Sequence, residues 1–335
     1  MIVSLLHRFV DRHVNLYNII VEKLETPVDD SPYKFWVIDQ QGVASCTILW
    51  MINTVLLMSG ADYFDDGFAI NAHMDAGVPV DVEKAKGEHQ AIRKAFEQAG
   101  IQAIKVEPPA GCQDGVYAAN WGLCRGNKVV LSSLPNKRQA ETPYAEQVLR
   151  SLGKEIIHVP DGLRFSGQGD ALPCGNLLFA GSVYRTDLAV HQFLADSLGY
   201  EVISLQTIPQ TDVNGRLLTN PVTGWPDSFF YDIDLALAVI REDLIAWCPE
   251  AFLPDSQAKI QALEIDKIEV YLGETQKDFA CNLVSTGETV IMSAHAPALH
   301  AELEKRGLTV IPINAGELAK GGGFIRCTSL SLDNN

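Results

Sequence analysis

A fivefold repeat constrains the fold of this chain more than any other feature of its sequence. Five segments match one template, an amphipathic helix end, a stop residue and an extended apolar run: FEQAGIQAIKV, LRSLGKEIIHV, ADSLGYEVISL, IQALEIDKIEV and LEKRGLTVIPI. The stop falls at Gly100, Gly153, Gly199, Glu264 and Gly307. Glycine suits the residue after a helix, where the backbone turns left-handed, so the fourth helix, with Glu264, must end by another route. A second β-rich stretch precedes each following helix. GVYAANWGLCRGNKVVLSS, FSGQGDALPCGNLLFAGS and DFACNLVSTGETVIMSA read as hairpins with glycine-containing turns. FFYDIDLALAVIREDLIAWC is longer but alike, and GFIRCTSLSL ends the set. A simple βαβ fold has one strand per helix; here there are about three. The pattern predicts an α/β fold of five ββαβ modules around a pseudo-fivefold axis, with loops converging on one cleft. An open doubly wound sheet is the alternative.

The repeat occupies residues 53–332, read as a single domain. The first fifty residues stand outside it. Ile2, Leu5, Leu6, Phe9, Leu16, Tyr17, Ile20 and Leu24 have roughly helical spacing, which predicts a helical extension, packed on the body or forming a homodimer contact. TPVDDSP reads as a linker. The apolar run VASCTILWMINTVLLM (43–58) is too short to cross a membrane and reads as buried strand.

A net charge of −16 repels phosphate backbones, which argues against nucleic acid as a partner. The seven cysteines are scattered, without a CxxC pair, which argues against a zinc ribbon or disulfide framework and for a reducing cytoplasm. Charges in MIVSLLHRFVDRH come too early for a signal peptide. GELAKGGG lacks the Lys-Ser/Thr of a P-loop, and there is no HExxH.

Aligned on their second strands, the modules place polar residues where the loops would converge. They are Asp114 and Asn120 after the first template strand, Asp170 after the second, Asp232 and Asp234 after the third, Cys281 and Asn282 after the fourth, and Cys327 after the fifth. A single Asp is more often a turn or cap residue; recurrence at one repeat position weakens that reading. Carboxylates accept paired hydrogen bonds from a planar guanidinium, and a thiolate can attack its carbon. Arg185 is placed to pair with a substrate carboxylate, or is simply a structural arginine. A free cysteine such as Cys327 is, in the blander reading, a small buried hydrophobe of a strand.

With these residues assembled, the chain resembles the amidinotransferase and dimethylargininase superfamily, the penteins or α/β-propeller enzymes. NTVLLMSGADYFDDGFAINAHMDAGVPVD, PAGCQDGVYAANWGL, FSGQGDAL, SVYRTD, FFYDIDLALAVI and GGGFIRCTSLSL follow that family's motifs in order. The resemblance implies hydrolysis or transfer at a guanidino group through a covalent thiouronium, without metal or organic cofactor. It implies Cys327 as nucleophile, Asp114 and Asp234 as guanidinium ligands, Arg185 as carboxylate ligand, and Asn71 as a substrate contact. Asn120 and Asp170 complete the expected binding set. Two positions depart from the family. Its histidine falls at Asp232, and its glutamate falls at Ser166, or at Gln168 in another alignment. Asp232 is therefore the candidate acid–base group. A guanidino-binding protein without turnover, and a cysteine enzyme acting on another electrophile, are the alternatives.

Overall fold

All five template runs are strands, each beginning two residues after its stop, and each lies parallel to the strand before its helix. The computed structural model describes residues 19–21, 33–38, 44–49, 52–314 and 316–334. It divides into two units, Met1–Met51 and Ile52–Asn335. In the larger unit β4 (Val55–Met58), α1 (Val82–Gln98) and β5 (Gln102–Lys105) form the first parallel pair with its crossover. The second module is β6 (Gly122–Arg125), β7 (Lys128–Leu131), α2 (Glu141–Ser151) and β8 (Glu155–His158). The third is β9 (Ala171–Cys174), β10 (Leu177–Ala180), α3 (Leu188–Leu198) and β11 (Glu201–Ser204). The fourth is β12 (Leu237–Arg241), β13 (Leu244–Trp247), α4 (Pro254–Ala262) and β14 (Asp266–Glu269). After α5 (Leu272–Asp278) comes the fifth, β15 (Val284–Ser285), β16 (Thr289–Ser293), α6 (Pro297–Lys305) and β17 (Thr309–Ile313). In each of these four the hairpin is antiparallel and the crossover parallel.

The first module lacks a hairpin partner of its own. The chain's tail supplies it: after α7 (Glu317–Lys320), β18 (Ser329–Ser331) pairs antiparallel with β4, Ser329 opposite Met58. The repeat therefore closes on itself, and five three-stranded sheets of one topology result. The expected α/β fold of five ββαβ modules is the fold observed.

Local chemistry sets the ends of these elements. Gly100, Gly153, Gly199 and Gly307 all have positive φ, between 76° and 87°. At the fourth stop no left-handed residue is needed. Leu263 is already extended (φ −73°, ψ 139°), and the Lys267 ammonium takes the freed Leu263 and Ile265 carbonyls at 2.7 and 2.6 Å. Helix α1 begins at Asp81, whose side chain accepts the Lys84 N–H. Ala85, Ile92, Ala95 and Phe96 give it a buried face. The charged Glu88 is buried on that face too, because its carboxylate accepts the Gly316, Glu317 and Leu318 N–H groups at the start of α7, at 2.9–3.1 Å. Glu317 reciprocates by accepting the Asp81 N–H at 2.9 Å. This double cap ties the segment leading to Cys327 onto α1. Glu88→Gln places an amide donor against those N–H groups and is expected to cost about 1–3 kcal/mol, seen as a lower urea midpoint at unchanged m-value.

In the smaller unit the described residues are three antiparallel strands, β1 (Ile19–Val21), β2 (Tyr33–Ile38) and β3 (Ala44–Leu49). Of the residues expected on a helix there, Ile20 falls in β1, and the others lie outside the described residues. The apolar run 43–58 contains two strands, β3 and β4, in different units. Among the described residues no helix is long and apolar enough to cross a membrane.

Candidate active site

The polar residues that recur through the repeat sit on its tightest turns. Single 3-10 turns lead into three of the hairpins: Ala118–Trp121 before β6, Gly167–Gly169 before β9 and Ile233–Leu235 before β12. The chain turns again at 279–282 before β15 and at 325–328 before β18. These turns carry or adjoin Asn120, Asp170, Asp232, Asp234, Asn282 and Cys327. All six are buried.

Cys327 lies in a turn, not in the strand expected from the sequence. Its Sγ is 3.3 Å from Asp234 Oδ2 and accepts from Asn282 Nδ2 at 3.1 Å. Asn282 Oδ1 accepts the Phe324 and Cys327 N–H groups at 3.0 and 3.2 Å. The triple glycine before it is required by space. A Cβ on Gly321 would strike the Tyr117 hydroxyl, one on Gly322 would come within 2.5 Å of Asn71 Oδ1, and one on Gly323 within 3.0 Å of Cys327 Sγ. Three side chains hold the carbonyls of this stretch: Tyr117 OH on Leu318 at 2.6 Å, Asn71 Nδ2 on Gly321 at 2.9 Å and Tyr231 OH on Gly322 at 2.7 Å. Asn71 thus braces the loop that leads to Cys327. Arg326, next to the thiol, donates instead to Ser329 O and Gln168 Oε1.

Around the thiol is an acidic cluster. Burial, reinforced by the charge of Asp232, pushes Asp234 up to about 8 and holds Asp170 well above the ordinary carboxylate range. Burial likewise pushes Asp114 up to about 6 and, with Asp234 and Asp232 nearby, raises the Cys327 thiol well above its usual value. Asp170 Oδ1 accepts the Ile233 N–H at 3.0 Å. Asp232 Oδ2 accepts from Asn120 Nδ2 at 2.8 Å and lies 3.9 Å from Arg185 Nη1. Arg185 also stacks on Tyr231, 3.9 Å from the ring centroid, and reaches Ile70 O at 3.4 Å. Asp114 is bonded to Gln113, and no hydrogen bond joins it to Cys327 or Asp234. No donor within the described protein reaches Oδ1 of Asp232 or Oδ1 of Asp234.

The structure separates the two candidates for the family's glutamate position. Ser166 faces this cluster: its O and Oγ accept from Asn120 Nδ2 at 2.9 and 3.0 Å. Gln168 turns the other way and pairs with the Ser331 backbone through both amide atoms. Sequence reasoning missed the support behind Asn120. Arg138 donates to Asn120 Oδ1 at 2.8 Å and to Glu141 at 2.7 and 2.8 Å, with both charges fully buried. Their polar surroundings, PNKRQAET, gave no burial signal. No histidine among the described residues bonds to the cluster. His73 packs against Phe229, Tyr231 and Phe279, with Nε2 2.8 Å from Phe229 O. It lines a cavity of about 620 Å³ together with Phe279, Ala319 and Lys320, and Tyr231 contacts both this ring and the Arg185 guanidinium.

A family model described as N,N dimethylarginine dimethylhydrolase, eukaryotic, matches residues 68–332. The chain is 30% identical over 280 residues to the N(G),N(G)-dimethylarginine dimethylaminohydrolase of Mycobacterium tuberculosis, covering 82% of this chain and 84% of that one. It is also 30% identical over 281 residues to AgrE of Nostoc, a bifunctional arginine dihydrolase/ornithine cyclodeaminase. That match covers 82% of this chain but 37% of AgrE. The N-terminal domain of ArgZ, a cyanobacterial arginine dihydrolase solved with its product, superposes with a TM-score of 0.75 at 27% identity, covering 84% of this chain and 98% of that domain. A Pseudomonas aeruginosa DDAH mutant complexed with citrulline (TM-score 0.65, 17% identity, 83% and 99% covered) shares the fold.

Proposed function

Because the chain belongs to the dimethylarginine dimethylhydrolase family, we propose that it is an enzyme that breaks an amidino C–N bond of arginine or a related guanidino compound through a covalent bond to Cys327. One observation carries this reading: two buried carboxylates, Asp232 and Asp234, each keep an Oδ1 without a donor beside a buried thiol. Buried acceptors are nearly always satisfied in native proteins. A guanidinium brings five N–H donors and a positive charge in one plane, and its carbon would then lie against Sγ.

The cation also answers the missing imidazole. As the side chains stand, burial keeps Asp234 protonated at neutral pH and the thiol neutral. A bound guanidinium favours both anions. Asp234 ionises, losing its proton to solvent, takes the Cys327 proton across the 3.3 Å contact, and the thiolate adds to the guanidinium carbon. Asp234 then protonates the departing nitrogen. Ammonia leaves from arginine, or a methylamine from a methylated arginine, and a cationic thiouronium remains on sulfur. Water adds to that carbon with Asp232 taking its proton. As the C–S bond breaks, the adduct's O–H proton passes to the departing thiolate, a ureido product is released, and Asp232 gives the water's other proton to solvent. Arg185, whose Nε and Nη1 make no hydrogen bond to the described residues, would receive a substrate carboxylate.

The test is product analysis with arginine, dimethylarginine and agmatine: release of the amine together with the ureido compound supports the reading. Saturable binding with no product identifies a binding protein, and no binding of any guanidino compound contradicts both. Losing a general acid–base group costs about 10²–10⁴-fold, so Asp232→His is expected to raise turnover by roughly 10²-fold. Intact binding with no gain would count against Asp232 as the acid–base position.

A further inference from the structure

Asn282 makes four side-chain contacts, and together they leave its amide one orientation. Oδ1 takes two backbone N–H groups, of Phe324 and Cys327, while Nδ2 faces Cys327 Sγ at 3.1 Å and Asp234 O at 3.4 Å. A flipped amide would set its NH₂ against two N–H donors, so the network assigns the atoms. The residue is fully buried and is held from behind: its own N–H bonds to Phe279 O at 3.0 Å, and its carbonyl accepts from Arg326 N at 3.3 Å. Among the described residues it is the sole side-chain donor to the sulfur.

We propose that Asn282 is a catalytic residue of this site, its Nδ2–H stabilising the Cys327 thiolate where the family's imidazolium is absent. The assignment rests on Cys327 being the nucleophile. Activation by a bound cation ends once water has added to the thiouronium and the thiolate must leave a neutral adduct; a donor fixed on the sulfur serves in both directions. The amide also couples charge to geometry, because the group that donates to sulfur is the one whose oxygen pins the turn. Other titratable or charged groups near the sulfur are Asp234 and Asp232, Arg326 in the same turn, and the Tyr117 and Tyr231 phenols. They are shared by wild type and variants, so a difference between the two reports on residue 282.

The experiment is pH-dependent alkylation of the full chain with iodoacetamide, resolved by peptide mass spectrometry to separate Cys327 from the other cysteines. Asn282→Asp keeps the acceptor for both N–H groups and removes the donor. The Cys327 labelling inflection is expected to rise by at least about 1–2 pH units, because a hydrogen bond to a charged group is lost and a carboxylate now stands beside the sulfur. Labelling below the inflection falls about 10-fold or more. Asn282→Ser, which is too short to reach the sulfur and adds no charge, is expected to shift the same way by about 1–2 pH units and isolates the loss of the donor. A purely structural Asn282 would leave the inflection, and the labelling rate below it, unchanged in a folded Asn282→Ser variant; that result overturns the proposal. The guanidino reading is tested separately. A shifted inflection without any product from guanidino compounds leaves Asn282 as the thiolate donor and removes the proposed substrate. Equal turnover in wild type and Asn282→Asp does the reverse.

Discussion

Asp234→Asn is expected to make the free protein more stable above neutral pH while abolishing its chemistry. Asp234 is pushed up to about 8 by burial and by Asp232, whereas an unfolded Asp titrates near 4. Between those values the native state holds a proton that the unfolded chain has lost, so stability falls as pH rises from about 4 to about 8. Above that window the folded protein carries an uncompensated buried charge. An amide carries none, so the variant's advantage should be largest near pH 9 and vanish below about pH 4. Urea midpoints at both pH values read it directly. Turnover should drop by about 10²–10⁴-fold, because the residue that relays the Cys327 proton is gone. A guanidino ligand should stabilise the wild type most at high pH, where its charge is needed. An Asp234→Asn variant that is less stable than wild type at pH 9 would mean that the carboxylate is compensated within the protein.

Gly322→Ala is expected to damage stability and activity together. The residue has φ +86°, and a Cβ there would lie 2.5 Å from Asn71 Oδ1. Backbone strain of about 1–3 kcal/mol adds to the loss of the Asn71–Gly321 hydrogen bond, about 1 kcal/mol. The sulfur lies five residues away in the same loop, and a displacement of about 1 Å at a reacting group can cost 10²-fold. Gly307→Ala is the control. It has a similar φ of +78° but nothing within 4 Å of its Cβ, so it should cost only the left-handed backbone strain of about 1–2 kcal/mol and leave turnover unchanged. Equal effects at the two sites would show that the packing of the glycine stretch against Asn71 is unimportant.

The module count was readable because its signals are local: a glycine that stops a helix, then an alternating or apolar strand, five times over. That repeat also predicts which turns converge, and so the meeting of Cys327 with Asp234. The missing parts are non-local. Nothing in the sequence says that β18 enters a sheet with β4, or that Cys327 therefore sits in the turn before that strand. Ser166 and Gln168 differ only by a two-residue shift; their opposite directions follow from a tight 3-10 turn, which period-two reasoning does not capture. Arg138 and Glu141 look like surface charges because a run of polar residues surrounds them, yet they pair in the dry interior behind Asn120. Asn282 was visible as a module residue, but its contact with sulfur depends on the turn at 325–328 folding back onto it.

The most direct test of the covalent account is acid-quenched mass spectrometry of the wild type during turnover, once with arginine and once with N,N-dimethylarginine. Loss of ammonia from one and of dimethylamine from the other leaves the same thiouronium. The account therefore predicts an identical added mass from both, mapped to the peptide bearing Cys327 and absent in Cys327→Ser. Different masses from the two compounds, the same mass on another cysteine, or steady product release with an unmodified Cys327 would contradict it.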